Sequence, residues 1–258
     1  MLVCLIALSA CKQSDVGSNQ NSANSNSSNE SADISSTPPF STKEPERYQA
    51  LMVVTGDMND QSSQVAGAAD FNNQQMFIAR DGEKRRVDYG LNQGVKLSYL
   101  QLPNGLFLAL PDEKIYAEIK LGEENSAPNL PMGEAEDFSP DRLLNESHAG
   151  ARYEKLGVED LNGRATTKYR VTTVPAQTGE TKGAAVETIV WIDEALGMPV
   201  KSETTSTRDG ASTGKFTMEL RNIKQEVDAR LFDLPQDYKK VDAKEIYAHL
   251  LPSTGATN

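Results

Sequence analysis

With 258 residues and a formal net charge of −11, the chain is long enough for one domain with a sizeable core and carries the wrong sign for a nucleic-acid surface or for a face that adheres to anionic lipid. Its 26 Lys and Arg and 37 Asp and Glu residues are scattered rather than gathered into one run, which reads as a solvated surface. Only two cysteines occur, Cys4 and Cys11, both at the start of the chain.

Met1 to Ala10 carries no charge and is almost wholly apolar apart from Ser9. A transmembrane helix needs about 20 apolar residues, so this stretch is the hydrophobic centre of a secretory signal and its removal is expected. Leu8-Ser9-Ala10-Cys11 follows at once and resembles the lipobox of bacterial lipoproteins: a branched apolar residue, two small ones, and the cysteine that is diacylated as the new N-terminus. That resemblance implies cleavage after Ala10 and lipidation of Cys11. A signal normally opens with Lys or Arg and none precedes this apolar run, so translation is expected to begin upstream. Loss of Cys4 with the signal leaves one cysteine, already thioether-linked, and so neither a disulfide, a cysteine metal site nor a thiol nucleophile.

From Lys12 to Thr37 the chain is Ser, Asn, Gln and small residues, with Val16 and Ile34 almost alone as larger apolar side chains. Such a segment buries too little apolar surface to offset the entropy of ordering it. It reads as a flexible tether, about 25 residues with a mean reach of roughly 25–30 Å. Lys12 stands where an aspartate would resemble the inner-membrane retention signal of enteric bacteria, and by that resemblance the outer membrane, facing the periplasm, is favoured. Pro38-Pro39 ends the tether. The expected division is a signal over residues 1–10, lipidated cysteine and tether over 11–44, and one domain over 45–258.

Beyond residue 48 the pattern is of short period-two runs separated by turn dipeptides, the signal of antiparallel β-structure. Ile115, Ala117, Ile119 and Leu121 alternate with Tyr116, Glu118 and Lys120; Phe216, Met218 and Leu220 with Thr217, Glu219 and Arg221; Tyr169 and Val171 with Lys168, Arg170 and Thr172; Met198 and Val200 with Lys201 and Glu203. Asp81-Gly82, Asn104-Gly105, Asn162-Gly163 and the Ala195-Leu196-Gly197 corner supply turns where glycine or asparagine takes positive φ. Roughly ten or eleven strands with hairpin connections and no βαβ spacing predict a mainly β antiparallel meander. Two short helices accompany it. One is announced by Ser139-Pro140-Asp141, ahead of Leu143 and Leu144. The other opens at Asp242 with Glu245 three residues on, places Ile246, Tyr247, Leu250 and Leu251 on one face, and stops at Pro252.

The order Tyr153-Glu154-Lys155-Leu156-Gly157, Glu159-Asp160-Leu161-Asn162-Gly163-Arg164, Thr167-Lys168-Tyr169, Trp191-Ile192-Asp193, Gly197-Met198-Pro199-Val200-Lys201 and Leu231-Phe232-Asp233-Leu234-Pro235-Gln236-Asp237-Tyr238 resembles the outer-membrane lipoprotein carrier superfamily, LolA/LolB-like, from about residue 152 to 241. The resemblance implies an unclosed β half-barrel of about eleven strands whose concave side is apolar, covered by short helices, and used to hold acyl chains or to bind a partner. No functional residue transfers one by one. Alternation alone nominates Ile115, Ile119, Tyr169, Val171, Phe216, Met218 and Leu220 as lining candidates, each of which also suits plain core.

Signals for catalysis are missing from the sequence. His148 and His249 are about 100 residues apart with no ligand pattern beside them. No nucleophile elbow, phosphate loop or dinucleotide fingerprint occurs. Glu123, Glu124, Glu134, Glu136 and Asp137 lack the ordered spacing of a calcium loop and read as a solvated loop. Glu159 and Asp160 are neighbours on a strand and point to opposite faces. Trp191 alternates with Ile189 and reads as core rather than as a ligand platform. The expectation is a non-enzymatic lipoprotein with no metal or cofactor, which holds a hydrophobic ligand in lipoprotein sorting or lipid transport. The alternative is an envelope interaction or stress-sensing module that contacts an envelope protein partner and holds no small ligand.

Overall fold

The computed structural model describes residues 34–40, 43–58, 74–90, 96–119, 151–173 and 183–250. The expected helix near residue 140 and the acidic loop lie outside them. Eleven strands of five or more residues form: β2 (Arg47–Met58), β3 (Gln74–Asp81), β4 (Lys84–Gly90), β5 (Lys96–Leu102), β6 (Gly105–Leu110), β7 (Ile115–Ile119), β8 (Arg152–Leu161), β9 (Arg164–Thr173), β10 (Ala184–Asp193), β11 (Met198–Arg208) and β12 (Ala211–Lys224). Two-residue strands β1 (Ile34–Ser35) and β13 (Lys239–Lys240) are added at the two ends of the sheet.

All thirteen belong to one unclosed sheet in the order β1-β8-β9-β10-β11-β12-β2-β3-β4-β5-β6-β7-β13. Every neighbour pair is antiparallel except β13 with β7. The chain therefore enters at the middle of the sheet, meanders from β2 to β7 at one edge, resumes with β8 near the other edge, and meanders back to set β12 against β2. The hairpin turns are local chemistry. Asn162 and Gly163 have φ of 55° and 79°, and Asp209 and Gly210 have φ of 51° and 81°; positive φ at both central residues gives the turn whose twist matches paired strands.

Residues directly opposite on paired strands share a face. One such row runs Ala50, Ile78, Val87, Tyr99, Leu108, Ala117 from β2 to β7, and all six are buried. A second runs Tyr169, Val190, Ser202, Met218, Val54 from β9 back to β2. Alternation along β2 joins Val54 to Ala50, so both rows lie on one face, the inner face hereafter. It holds the main apolar cluster, centred on β2 to β7, β11 and β12, and a smaller one of Ala151, Tyr153, Tyr169, Val171, Val190 and Ile192.

The chain's two ends clasp this sheet. After β12, Val227 and the one-turn 3-10 segment Ala229–Phe232 pack on the outer face against Ala79, Phe77 and Leu102. Arg47 and Arg86 fix that segment by donating to the carbonyls of Val227 (2.9 Å) and Leu231 (2.8 Å). The chain then pairs with the β7 edge as β13 and turns onto the inner face as helix α1 (Ala243–Leu250), where Ile246 and Tyr247 enter the main cluster. Asp242 begins α1 as the sequence predicts, accepting the Lys244 N–H at 2.9 Å. At the other end the packed chain begins earlier than the boundary expected at residue 45. Ile34 and Ser35 pair with Glu154 and Tyr153 of β8, and Phe40 lies 5.9 Å from the Tyr153 ring and 5.0 Å from that of Tyr169. Composition marked this stretch as tether because its apolar residues are isolated; Phe40 gains its burial from rings far along the chain.

The β12–β2 seam joins the two meanders, and Met218 and Leu220 are its buried inner-face residues, opposite Val54 and Met52. Met218→Ala and Leu220→Ala are each expected to lower unfolding free energy by about 2–5 kcal/mol through lost burial and the cavity left behind. Urea denaturation followed by circular dichroism measures it; a loss under about 1 kcal/mol at both sites contradicts a packed seam.

Candidate functional site

The seven residues nominated from alternation do share the inner face. Ile115 and Ile119 flank Ala117 on β7, Tyr169 and Val171 lie on β9, and Phe216, Met218 and Leu220 lie on β12. They are not brought together as one lining. Ile115, Ile119, Met218 and Leu220 are buried in the main cluster, and Tyr169 and Val171 in the smaller one. Phe216 alone of the seven is half-buried, packed against the main cluster with part of its ring free.

Around Phe216 the inner face changes character. Its row reads Tyr153, Val171, Thr188, Thr204, Phe216, Gly56 across β8, β9, β10, β11, β12 and β2. The row toward the β11–β12 turn reads Thr173, Val186, Ser206, Gly214. Ser202 belongs to the row on the other side, between Val190 and Met218. Thr173, Thr188, Thr204 and Ser206 are half-buried, whereas Ser202 is 4% exposed. The Thr188 and Thr204 hydroxyls are 3.0 Å apart and bond to each other. A hydroxyl strip thus runs between the two apolar clusters and is open to solvent beside Phe216.

Sequence reading missed these hydroxyls because Ser202-Glu203-Thr204-Thr205-Ser206-Thr207 shows no apolar alternation that would tell one face from the other. Only the register with Phe216 and Met218 assigns them. No charged side chain stands in the three rows on β9 to β12. Burial pushes the phenols of Tyr153 and Tyr169 above their ordinary range, so both stay neutral.

The inner face ends in charge at the β3–β4 turn. There Tyr48, Arg80, Arg85 and Gln101 form a row, with Glu44 buried among them at 3% exposure. Glu44 accepts from Tyr48 Oη at 2.6 Å and from Arg80 Nη1 at 3.2 Å, and pairs with Arg85. Arg80 Nη1 also donates to the carbonyls of Glu44 and Pro45, each at 3.0 Å. The carboxylate pairs with Arg85 and shares Arg80 with Glu46, whose Oε2 lies 3.3 Å from Arg80 Nη2, and it pins the chain just before β2. Removing one partner of a buried pair leaves the other charges uncompensated. Glu44→Ala is accordingly expected to cost about 3–5 kcal/mol in urea unfolding, while Lys43→Ala, an exposed neighbour, changes it by less than about 0.5 kcal/mol; equal effects would contradict the clamp.

On β11 and β12 the outer face carries paired charges. Lys201 bonds Glu203 at 2.7 Å, Lys215 reaches Glu203 at 3.3 Å, and Arg221 bonds Glu219 at 2.7 Å. Lys201 and Lys215 hold the Glu203 carboxyl below its usual range, as Arg221 and Asn162 do for Glu219 and Lys168 does for Glu159. Trp191 is buried on this face beneath two ammonium groups, Lys201 at 4.4 Å and Lys168 at 4.7 Å from its ring centre. Glu159 and Asp160 diverge: Glu159 takes Lys168 at 3.2 Å, and Asp160 caps the turn through the Gly163 N–H at 2.9 Å. At the sheet's edge, β1 covers only Tyr153 and Glu154 of β8, and Val158 beyond it is 66% exposed.

No family model matches the sequence, and no curated protein does. Solved structures that the fold is similar to include the Mycobacterium tuberculosis lipoprotein LppX, at 12% identity over 70% of this chain and 88% of that one with a TM-score of 0.38. LprF from Mycobacterium bovis is similar at 11% identity over 74% and 90%, TM-score 0.40. A LolA superfamily protein from Nitrosomonas europaea is similar at 9% identity over 74% and 91%, TM-score 0.30. The unclosed antiparallel sheet is itself the architecture that the sequence resemblance to the lipoprotein carrier superfamily implies.

Proposed function

We propose that this chain is a lipid-anchored envelope protein, held at the outer membrane facing the periplasm, that binds a hydrophobic ligand on the inner face of its half-barrel. The ligand class is acyl chains of a lipid or lipoprotein, and the role is carriage in lipoprotein sorting or lipid transport, without catalysis. One observation carries the reading: an apolar face of an unclosed sheet that is packed nearly everywhere becomes solvent-accessible at Phe216 and the rows beside it. Apolar surface left accessible on such a face is surface a ligand can bury. Anchoring rests on Leu8-Ser9-Ala10-Cys11, which lies outside the described residues.

The binding half is tested with N-phenylnaphthylamine, a neutral apolar probe, added to the purified Cys11→Ser chain. Saturable fluorescence enhancement is expected, and Phe216→Asp is expected to weaken it at least about tenfold by setting a carboxylate on the apolar contact. Circular dichroism must show that the variant keeps its β-structure. Phe216 is half-buried at the margin of the cluster, so Phe216→Ser serves as a milder second variant. A folded chain that takes up no probe defeats the reading.

The anchoring half is tested by metabolic labelling with an alkyne fatty acid. Label on the wild-type chain and none on Cys11→Ser is the expected result, and label that survives the substitution contradicts it.

A second reading, an interaction or stress-sensing module with no small ligand, is favoured by the β8 edge. Leu156 and Val158 are exposed there, and Gly157 has φ of 135° at the bulge between them. An edge strand with exposed apolar residues suits the addition of a partner's strand.

A further inference from the structure

We infer that the polar end of the bound ligand is uncharged, an acyl ester or glycerol hydroxyl of the monoacylglycerol type, and that Ser202, Thr188 and Thr204 select it. The inference rests on the binding reading above and names the ligand class for the same site.

Ser202 is 96% buried by its 4% exposure, and no hydrogen bond to its hydroxyl forms among the described residues. Its cross-strand neighbours are Val190 and Met218, neither of which offers a hydrogen-bonding side chain. Two residues further along β11 and β10, the Thr188 and Thr204 hydroxyls satisfy each other once at 3.0 Å. A hydroxyl has one hydrogen and two lone pairs, so that mutual bond leaves one hydrogen of the pair undirected and acceptor sites on both oxygens. The strip can therefore donate from Ser202 and from the threonine pair, and can also accept. Ester carbonyls accept and glycerol hydroxyls do both.

Charge argues the same way. The three rows on β9 to β12 hold Tyr169, Val190, Ser202, Met218; Val171, Thr188, Thr204, Phe216; and Thr173, Val186, Ser206, Gly214. None of these is ionisable except Tyr169, which burial keeps neutral. Lys155, opposite Tyr169 on β8, is three strands from Ser202, roughly 14 Å at the usual strand spacing. At the far end of the face, Arg80 and Arg85 are engaged by Glu44. Arg208, opposite Ala184 on the same face, is the next described cation along β11, roughly 13 Å from Thr204 and 20 Å from Ser202 at the usual rise per residue. Among the described residues, an ionised carboxylate or phosphate seated at Ser202, Thr188 and Thr204 would therefore lose water with no counter-charge beside it, which is unfavourable. A neutral ester loses less and recovers hydrogen bonds. The acyl chain would lie along Phe216 and the accessible margin of the main cluster.

Displacement of N-phenylnaphthylamine from the full Cys11→Ser chain is the test, with monopalmitoylglycerol, palmitate and palmitoyl lysophosphatidate as competitors sharing one acyl chain. Monopalmitoylglycerol is expected to displace the probe at about tenfold lower concentration than either anion, as one or two well-made hydrogen bonds allow. Ser202→Ala combined with Thr204→Val, which remove hydroxyls at nearly constant volume, should shrink that preference to about twofold or less by raising the concentration of monopalmitoylglycerol needed for displacement. Thr188→Val provides a second variant should the first fold poorly. If palmitate or lysophosphatidate competes as well as the ester, or if the hydroxyl variants keep the tenfold preference, the inference is overturned while the binding reading stands. If the folded chain takes up no probe, both fall.

Discussion

The pairing of β12 with β2 is the constraint on which the rest of the molecule depends. It joins residues 214–224 to residues 49–58 in one ladder and so unites a meander made early in the chain with one made late. Every other antiparallel pair among the eleven long strands links strands adjacent in sequence, so its loop-closure cost is local. The seam must close across most of the chain. Its buried inner-face residues, Met218, Leu220, Val54 and Met52, are therefore asked to offset a large entropic term, and all four are packed in the main cluster. A chain in which the seam is unformed has two half-sheets, each with an exposed apolar face.

An unclosed sheet has two further obligations, to protect its edges and to cover its inner face. The C-terminal segment meets both at one side: β13 pairs with β7 through Lys239 and Lys240, and α1 then lays Ile246 and Tyr247 on the inner face. At the other side the N-terminal segment does a lesser version of the same work, with β1 on the β8 edge and Phe40 over Tyr153 and Tyr169. The asymmetry is physical. β1 pairs with two residues of a ten-residue strand, so most of β8 beyond Glu154 is not covered by β1. The inner face is likewise tight near β6 and β7, beneath α1, and looser around Phe216. Openness and edge exposure both fall on the half of the sheet that the C-terminal clasp does not reach.

The parts of this arrangement legible in the sequence are those set by local rules. Alternation paired Ile115 with Ile119, Tyr169 with Val171, and Phe216 with Met218 and Leu220, and by the register all seven share one face, six of them buried and Phe216 half-buried. Asn162-Gly163 and Asp242 were readable because a positive-φ turn and a helix cap each need particular residues at fixed offsets. What could not be read depends on partners far away in sequence. Glu44 sits in a stretch with a tether's composition, and nothing nearby announces that Arg80 and Arg85 will enclose it. Phe40 is a lone aromatic until Tyr153 and Tyr169 are folded against it. The hydroxyls of β10 and β11 are the sharpest case. A run of Ser, Thr and Glu has no apolar side, so its inner face is fixed only by the strands that flank it.

Thr188 and Thr204 invite a plain structural explanation, since β-branched residues suit strands and a cross-strand threonine pair contributes about 0.2–1 kcal/mol. Ser202 does not fit that explanation. A serine has no β-branching to favour the strand, and its hydroxyl has no apolar packing role. Two residues along β11, Thr204 keeps its hydroxyl paired, and across the strand pair Val190 and Met218 show that apolar side chains are accommodated at that depth. The hydroxyl thus stands where the sheet accommodates an apolar side chain. It also stands beside the accessible part of the face, two residues along the ladder from the Thr204–Phe216 pair. A neutral donor or acceptor from outside the chain can bond this hydroxyl without bringing a charge onto rows of β9 to β12 that hold none.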